Sequence, residues 1–417
     1  MRCILTLLAL TIVADPLSAQ VTEAHLARAR RILESTPLID GHNDLAWAIR
    51  TDSAAPRDVA AYDLTRTTPG HTDLDRLRRG MVGGQFWSVY VPGDAGEYGF
   101  ARMQLEQIDI ARRFIAMYPD HFQLALDSRG LRDAFGQKRI GSILGMEGGH
   151  VIENSLGALR AYHQLGARYL GLTHNSTTDW ADAGTDVARH GGLSEFGKEV
   201  VREMNRLGML VDLSHTSPGT MSNALDVTEA PVIFSHSNAR AIADVPRNVP
   251  DSILRRMPAN GGVVMVTFVP GFVSKTLIAY SEELSRAQQA IRARHAGDEA
   301  RIQAEIRQWT TARPRPLATL SEVADHIDHI RKVAGADHVG IGGDFDGINI
   351  VVKGLEDVAT YPALFAELVR RGWSDSDLRK LAGGNILRVM ERSEEVAERL
   401  QRSRRPSTRT IEELDGR

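Results

Sequence analysis

Seven side chains able to bind a metal or move a proton recur in one local setting, each close behind a short apolar run. The first pair lies in Leu38-Ile39-Asp40-Gly41-His42-Asn43-Asp44, where an imidazole and a carboxylate stand two positions apart. In an extended chain such residues share a face, so His42 and Asp44 can aim at one point beyond a strand end. Nitrogen and oxygen donors of this kind suit borderline divalent metals such as zinc. Alone, a His-x-Asp is an ordinary turn with a surface histidine. The recurrence is what carries chemistry: Glu147 follows the run 140–146, His174 the run 168–173, His215 the run 209–213, His236 the run 232–234 and Asp344 the run 339–342.

The donor count implies two metals. His42 with Asp44, and His215 with His236, form two clusters, and Glu147 is the carboxylate placed to bridge them, its flanking glycines allowing close approach. Two divalent ions about 3.5–4 Å apart lower the pKa of a shared water and polarise the bond it attacks. That is hydrolytic chemistry.

The elements that must hold these donors alternate along the chain. Apolar runs at 38–42, 83–91, 140–146, 168–173, 209–213, 232–234, 262–268 and 339–342 read as strands, separated by helical patterns such as 103–118, 155–165 and 194–207. Such alternation predicts a parallel sheet. Eight units predict an α/β fold, a (β/α)8 TIM barrel, whose active site lies at the C-terminal strand ends. All seven donors fall within two residues of a predicted strand end, whereas the remaining histidines lie in helical or polar stretches or, for His338, ahead of a strand. A charged, Ala/Arg/Gln-rich stretch at 275–313 exceeds what the barrel needs. It reads as a helical insertion after the seventh strand, leaving from the active end and placed to act as a lid.

Composition narrows the classes. The 417 residues are 42% hydrophobic and 25% charged with a net charge of −3, which gives no sign of a nucleic-acid partner. Residues 1–19 read as a secretory signal: Arg2, an apolar core from Cys3 to Ala14, then Leu17-Ser18-Ala19 before the cleavage point. Cys3 is the single cysteine, so the mature chain is expected in the periplasm or secreted, without disulfides and without a membrane anchor. The catalytic domain is expected over 20–396, with 397–417 a polar tail.

Several motifs then carry a resemblance. Ile39-Asp40-Gly41-His42-Asn43-Asp44-Leu45, Glu147-Gly148-Gly149-His150, Leu172-Thr173-His174-Asn175 and Asp212-Leu213-Ser214-His215 resemble the membrane (renal) dipeptidase family of zinc peptidases. So do Pro231-Val232-Ile233-Phe234-Ser235-His236-Ser237, Arg247-Asn248-Val249-Pro250-Asp251 and Gly342-Gly343-Asp344-Phe345-Asp346-Gly347. The likeness runs from about residue 38 to 390 and is broken mainly by the insertion.

The resemblance implies two Zn2+ ions, with His42 and Asp44 on the first, His215 and His236 on the second, Glu147 bridging, and a metal-bridging hydroxide as nucleophile. It implies that His174 steadies the oxyanion, Asp344 carries the proton to the leaving amine and Arg247 pairs with the substrate's C-terminal carboxylate, a planar partner for a planar guanidinium. Asp346, two residues on, is the alternative proton carrier. Arg247 has the alternative of an ion pair with Asp244 or Asp251. His150, Trp180 and Asp182 lie near the rim, the last two as loop residues suited to lining the pocket. The implied substrate is a dipeptide with free termini, and the implied assembly a homodimer. Lacking the anchor signal and disulfides of animal cell-surface members, the chain is more similar to soluble bacterial ones. A related binuclear amidohydrolase acting on a lactam, lactone or N-acyl amino acid is the alternative enzyme. A dipeptide-binding protein on a disused barrel would lack a donor, and every position is filled.

Overall fold

The computed structural model describes residues 20–95 and 99–416; the leader read at 1–19 lies outside them. Nine strands occur in the order β1 (Leu38–Asn43), β2 (Val82–Ser88), β3 (Phe122–Leu124), β4 (Ile140–Met146), β5 (Ala167–Gly171), β6 (Leu210–Asp212), β7 (Ile233–Phe234), β8 (Val263–Val266) and β9 (Val339–Ile341). All pair in parallel in the sequence β2-β1-β9-β8-β7-β6-β5-β4-β3, and β2 also pairs with β4. That last pairing closes eight strands into the expected (β/α)8 barrel.

The unexpected strand is β3. On β4, residues 141–145 pair with β2, 140–142 with β3 and 144–146 with β5. The overlaps put β2 on one edge of β4, and β3 and β5 end to end on the other. Three residues show no alternation to read, so nothing in Phe122-Gln123-Leu124 separates them from a loop.

The strands are continuous apolar runs because both faces are covered. Successive side chains point opposite ways. Ile39, Phe86, Ile143, Tyr169, Leu210, Ile233, Val263 and Met265 meet in one cluster inside the barrel. Their neighbours Leu38, Trp87, Leu144, Leu170, Val211, Phe234 and Val264 join the layer beneath the helices. Ile386, Leu387, Val389 and Met390, from the helix Asn385–Ser403, complete the inner cluster. The Asn385 side-chain amide donates to the Ala336 and Val339 carbonyls at 2.8 Å, at the entry to β9. This helix therefore plugs the N-terminal end of the barrel, leaving the C-terminal rim open.

Two expectations change. The segment expected as a polar tail is structured over residues 397–416: the helix runs on to Ser403 and a further turn, Ile411–Asp415, docks on the helix Glu195–Leu207. Asp415 accepts the Ser194 hydroxyl at 2.6 Å and the Glu195 amide at 3.0 Å, while Leu400 and Ile411 are buried. The insertion is a helical hairpin, Lys275–Arg294 and Glu299–Ala312, with Tyr280 and Trp309 5.5 Å apart. It contributes no residue to the wall of the rim cavity, whose nearest members are Val269 and Phe272. Among the described residues, no helix is long and apolar enough to cross a membrane.

Candidate metal centre

Barrel closure brings six of the donors and Arg247 to one cavity of about 280 Å3 at the open rim, lined also by Trp47, Tyr90 and Phe272, with His42 buried directly against Asp44, Glu147 and His236. His42 is at the end of β1. Asp44 occupies the N-cap position of the helix Leu45–Thr51 without capping it, which leaves the carboxylate for the cavity. Its backbone has turned out of the extended region (φ −97°, ψ 30°), yet its Oδ2 lies 3.2 Å from His42 Nε2. Glu147 follows β4. His174, His215 and Asp344 each lie three residues beyond β5, β6 and β9, and His236 two beyond β7.

Glu147 stands at the centre. Its Oε2 is 3.5 Å from His42 Nε2. Its Oε1 is 2.9 Å from His215 Nε2, 3.3 Å from His236 Nε2 and 3.8 Å from His174 Nε2. Asp344 Oδ1 is 4.0 Å from His42 Nε2. These contacts divide the donors into three overlapping groups: His42, Glu147 and His236; Glu147, His174 and His215; His42, Asp44 and Asp344.

The donor set fits divalent cations. His42 Nε2 and Asp44 Oδ1 are buried without a hydrogen-bond partner among the described residues, an arrangement that costs free energy unless something else satisfies them. Asp44, Glu147 and Asp344 bring three carboxylates to the same small space, oxygen donors of the kind a divalent cation takes. Burial lowers His215 and His236 well below the usual imidazole range, with Arg247 adding to the effect, so both are neutral as ligands must be. Burial would raise the Glu147 carboxyl, but His42 and His174 hold it well below its ordinary value. Burial would lower His42; Tyr169, Glu147 and Asp44 push it well above. Asp344 is driven well up by burial and the neighbouring Asp44 and Glu147.

Two of these residues adopt left-handed backbone, His215 with φ 68° and Asp344 with φ 66°. Such conformations are strained for residues other than glycine, asparagine and aspartate, and they concentrate at functional sites. Asp346 is left-handed as well, with φ 65°. The alternation assumed for an extended chain therefore does not apply. Asp346 turns away to His71, accepting its backbone N–H at 2.5 Å, and Asp344 alone of the two lines the cavity.

Arg247 is buried, not on the surface with Asp244 or Asp251. Its guanidinium donates to Ser237 Oγ at 3.3 Å and to the His236 carbonyl at 3.1 Å, and lies over Phe272 at 5.2 Å. Burial pulls its pKa down to about 10, which leaves it charged at neutral pH. Trp180 and Asp182 do not line the cavity. Asp182 accepts the backbone amides of Arg189, His190 and Gly192 and so folds their loop, and Trp180 is fully buried with its ring 6.4 Å from Phe196. His150 sits in the turn Gly149–Ile152, its Nε2 2.9 Å from the Val91 carbonyl.

The sequence reading missed the residues beneath the donors. Asp40 Oδ1 accepts the His42 amide at 2.7 Å and the Gly343 amide at 3.1 Å, and the carboxylate accepts the Tyr361 hydroxyl, tying β1 to β9. Asp212 does the same for β6 and β7, accepting the Ser214 amide at 3.0 Å and the Ser235 amide at 2.8 Å. Both are fully buried carboxylates two or three residues ahead of a ligand histidine, Asp40 within β1 and Asp212 at the end of β6, a signal visible in Ile-Asp-Gly-His and Val-Asp-Leu-Ser-His.

Residues 26–404 match the family described as membrane dipeptidase (peptidase family M19). The chain belongs to that family. This M19 chain is 40% identical over 378 residues to dipeptidase 3 of Rattus norvegicus, spanning 89% of this chain and 68% of the rat protein. The crystal structure of the probable dipeptidase PvdM from Pseudomonas aeruginosa is similar with a TM-score of 0.76 at 25% identity, covering 90% of this chain and 99% of that one. A solved metallopeptidase of family M19, dipeptidase AC, has a TM-score of 0.68 at 26% identity, covering 86% of this chain and 98% of that one. The M19 chain is thus a metallo-dipeptidase, and the donor clusters at the rim are its candidate metal ligands.

Proposed function

We propose that this M19 dipeptidase uses two zinc ions to hydrolyse the single peptide bond of dipeptides with a free amine and a free carboxylate. The observation that carries this reading is the position of Glu147, its two oxygens divided between His42 and the His215/His236 pair, in a cavity that also holds the buried guanidinium of Arg247. His42 and Asp44 would hold one ion, His215 and His236 the other, and Glu147 both. When bound, the metals would activate water and polarise the scissile carbonyl.

The chain's own side chains supply the rest. Arg247 receives the substrate carboxylate; a guanidinium has two parallel N–H donors for it, and burial strengthens the pairing. That contact positions the carbonyl by His174, which donates to its oxygen as negative charge develops. Asp344, its carboxyl raised by burial and by the neighbouring Asp44 and Glu147, delivers a proton to the departing amine. A cavity of about 280 Å3 is of the size a small dipeptide needs. Export under the leader at 1–19 and a homodimeric assembly belong to the same proposal, supported by the sequence pattern and the resemblance.

The test is release of free amino acids from a panel of L-L and L-D dipeptides, their N-acetyl forms and their C-terminal amides, with and without a chelator. Turnover of the free-terminus compounds that vanishes with chelation and in Glu147→Gln supports the proposal. Equal turnover of the amides would refute the role given to the carboxylate.

A further inference from the structure

Tyr169 lies inside the barrel, and its hydroxyl is 2.9 Å from His42 Nδ1. The two residues belong to β5 and β1, separated in the closed sheet by β2 and β4, so this side chain crosses the barrel interior to reach the foot of the metal centre. The ring is fully buried and lies 5.6 Å from Phe86. Space for it is built into the neighbouring strand. Gly145 is the register partner of Tyr169, and a Cβ there would fall 2.0 Å from the Tyr169 Cζ. A core tyrosine normally finds a hydrogen-bond partner, but here the partner is the far nitrogen of a candidate ligand.

We propose that Tyr169 is a positioning residue for the metal centre, which fixes the ring orientation and tautomer of His42 through Nδ1 so that Nε2 presents its lone pair to a divalent cation. The inference rests on the binuclear reading above. His42 Nε2 can ligate only when unprotonated, so the neutral ring must carry its proton on Nδ1, which then donates to the tyrosine oxygen. Metal-ligating histidines are ordinarily held in this way by an oxygen behind the ring. Of the other two candidate ligand histidines, His236 Nδ1 lies 2.8 Å from Ser235 Oγ, while His215 Nδ1 has no hydrogen-bond partner among the described residues. Among the described residues, Tyr169 Oη is the one hydrogen-bond partner shown for His42 Nδ1. Its effect should therefore concentrate on the cluster containing His42 and Asp44.

Tyr169→Phe retains the ring and its packing and deletes only the hydroxyl. Divalent cation affinity is read by competition against a chromogenic chelator, in parallel with the visible spectrum of the cobalt(II)-loaded protein and the melting temperature of the metal-free protein. The expected result is one site weakened about 10- to 100-fold and an altered cobalt spectrum, with the metal-free melting temperature close to wild type. Wild-type affinity at both sites with an unchanged spectrum would overturn the proposal. Loss of the fold on circular dichroism would also overturn it, since the hydroxyl would then be structural. If the wild type itself takes up no divalent cation, the failure belongs to the binuclear reading and not to Tyr169.

Discussion

Asp212 Oδ2 accepts the Ser235 hydroxyl at 2.6 Å while its Oδ1 accepts the Ser235 backbone N–H at 2.8 Å. One buried carboxylate thus holds the exit of β7 against that of β6. With its proton committed to Asp212, the Ser235 oxygen is left to accept from His236 Nδ1, 2.8 Å away, so His236 Nε2 keeps its lone pair and lies 2.9 Å from His215 Nε2. Asp212→Asn removes the charge that collects these donors and presents N–H groups where acceptors are needed. The variant should lose about 1–3 kcal/mol of stability and bind the metal shared by His215 and His236 about tenfold or more weakly. Denaturant unfolding of the metal-free protein and chelator competition measure the two effects. An unchanged midpoint would show that Asp212 bears no such role.

Arg247→Lys keeps the charge but not the paired N–H geometry. Hydrogen bonds to charged groups are worth about 1.5–3 kcal/mol, so kcat/KM for free-carboxylate dipeptides should fall roughly 10- to 100-fold. The ratio of dipeptide to dipeptide-amide turnover should fall with it. A lysine variant that keeps the wild-type ratio would place carboxylate recognition elsewhere.

A Cβ on Gly347 would lie 2.3 Å from Asp44 Oδ2 and 2.6 Å from Asp344 Oδ1. Gly347→Ala must therefore displace two carboxylates of the site while leaving the barrel core untouched. A displacement near 1 Å at a catalytic centre costs on the order of 10²-fold in rate. We expect that loss with a melting temperature near wild type, and a variant of normal activity would mean that the two aspartates tolerate displacement.

His326 ties the wall of the pocket to a helix. Its Nδ1 accepts the Ala239 amide at 3.1 Å and its Nε2 donates to the Val273 carbonyl at 2.9 Å, next to Phe272. Burial lowers its pKa to about 4 from the ordinary 6.5. Between those values the unfolded chain binds a proton that the folded protein refuses, so stability is full above about pH 6.5 and falls as the pH drops towards 4, by up to about 3 kcal/mol for this residue. His326→Asn should be less stable at pH 7 but show a shallower loss on acidification. Urea midpoints at pH 7 and pH 4.5 for both proteins decide it; parallel slopes would exclude His326 as a source of acid lability.

Local patterns read well where the physics is local. The eight barrel strands were legible because each is a short apolar run followed by polar or glycine residues, and β3 was not because three residues carry no period. The docked C-terminal segment was hidden by the charged Arg402-Ser403-Arg404-Arg405, although Val396 and Leu400 continue the apolar spacing of the helix. Asp346 looked equivalent to Asp344 under strand alternation, and two left-handed residues break that rule. Trp180 and Asp182 looked like pocket residues because sequence places them near the rim without showing which way they face.

By itself the sequence determined the barrel, its open end and the donor types, since strand-forming runs, turn residues and metal-binding side chains are encoded within a few positions of one another. Only the tertiary structure decided how those donors meet. Closure of β2 on β4 sets Glu147 between His42 and the His215/His236 pair, carries Arg247 inward against Phe272 and sends Tyr169 across the interior to His42. Those relationships join residues tens to hundreds of positions apart, and what fixes them is the register of a closed sheet and the packing inside it, neither of which leaves a periodic trace along the chain.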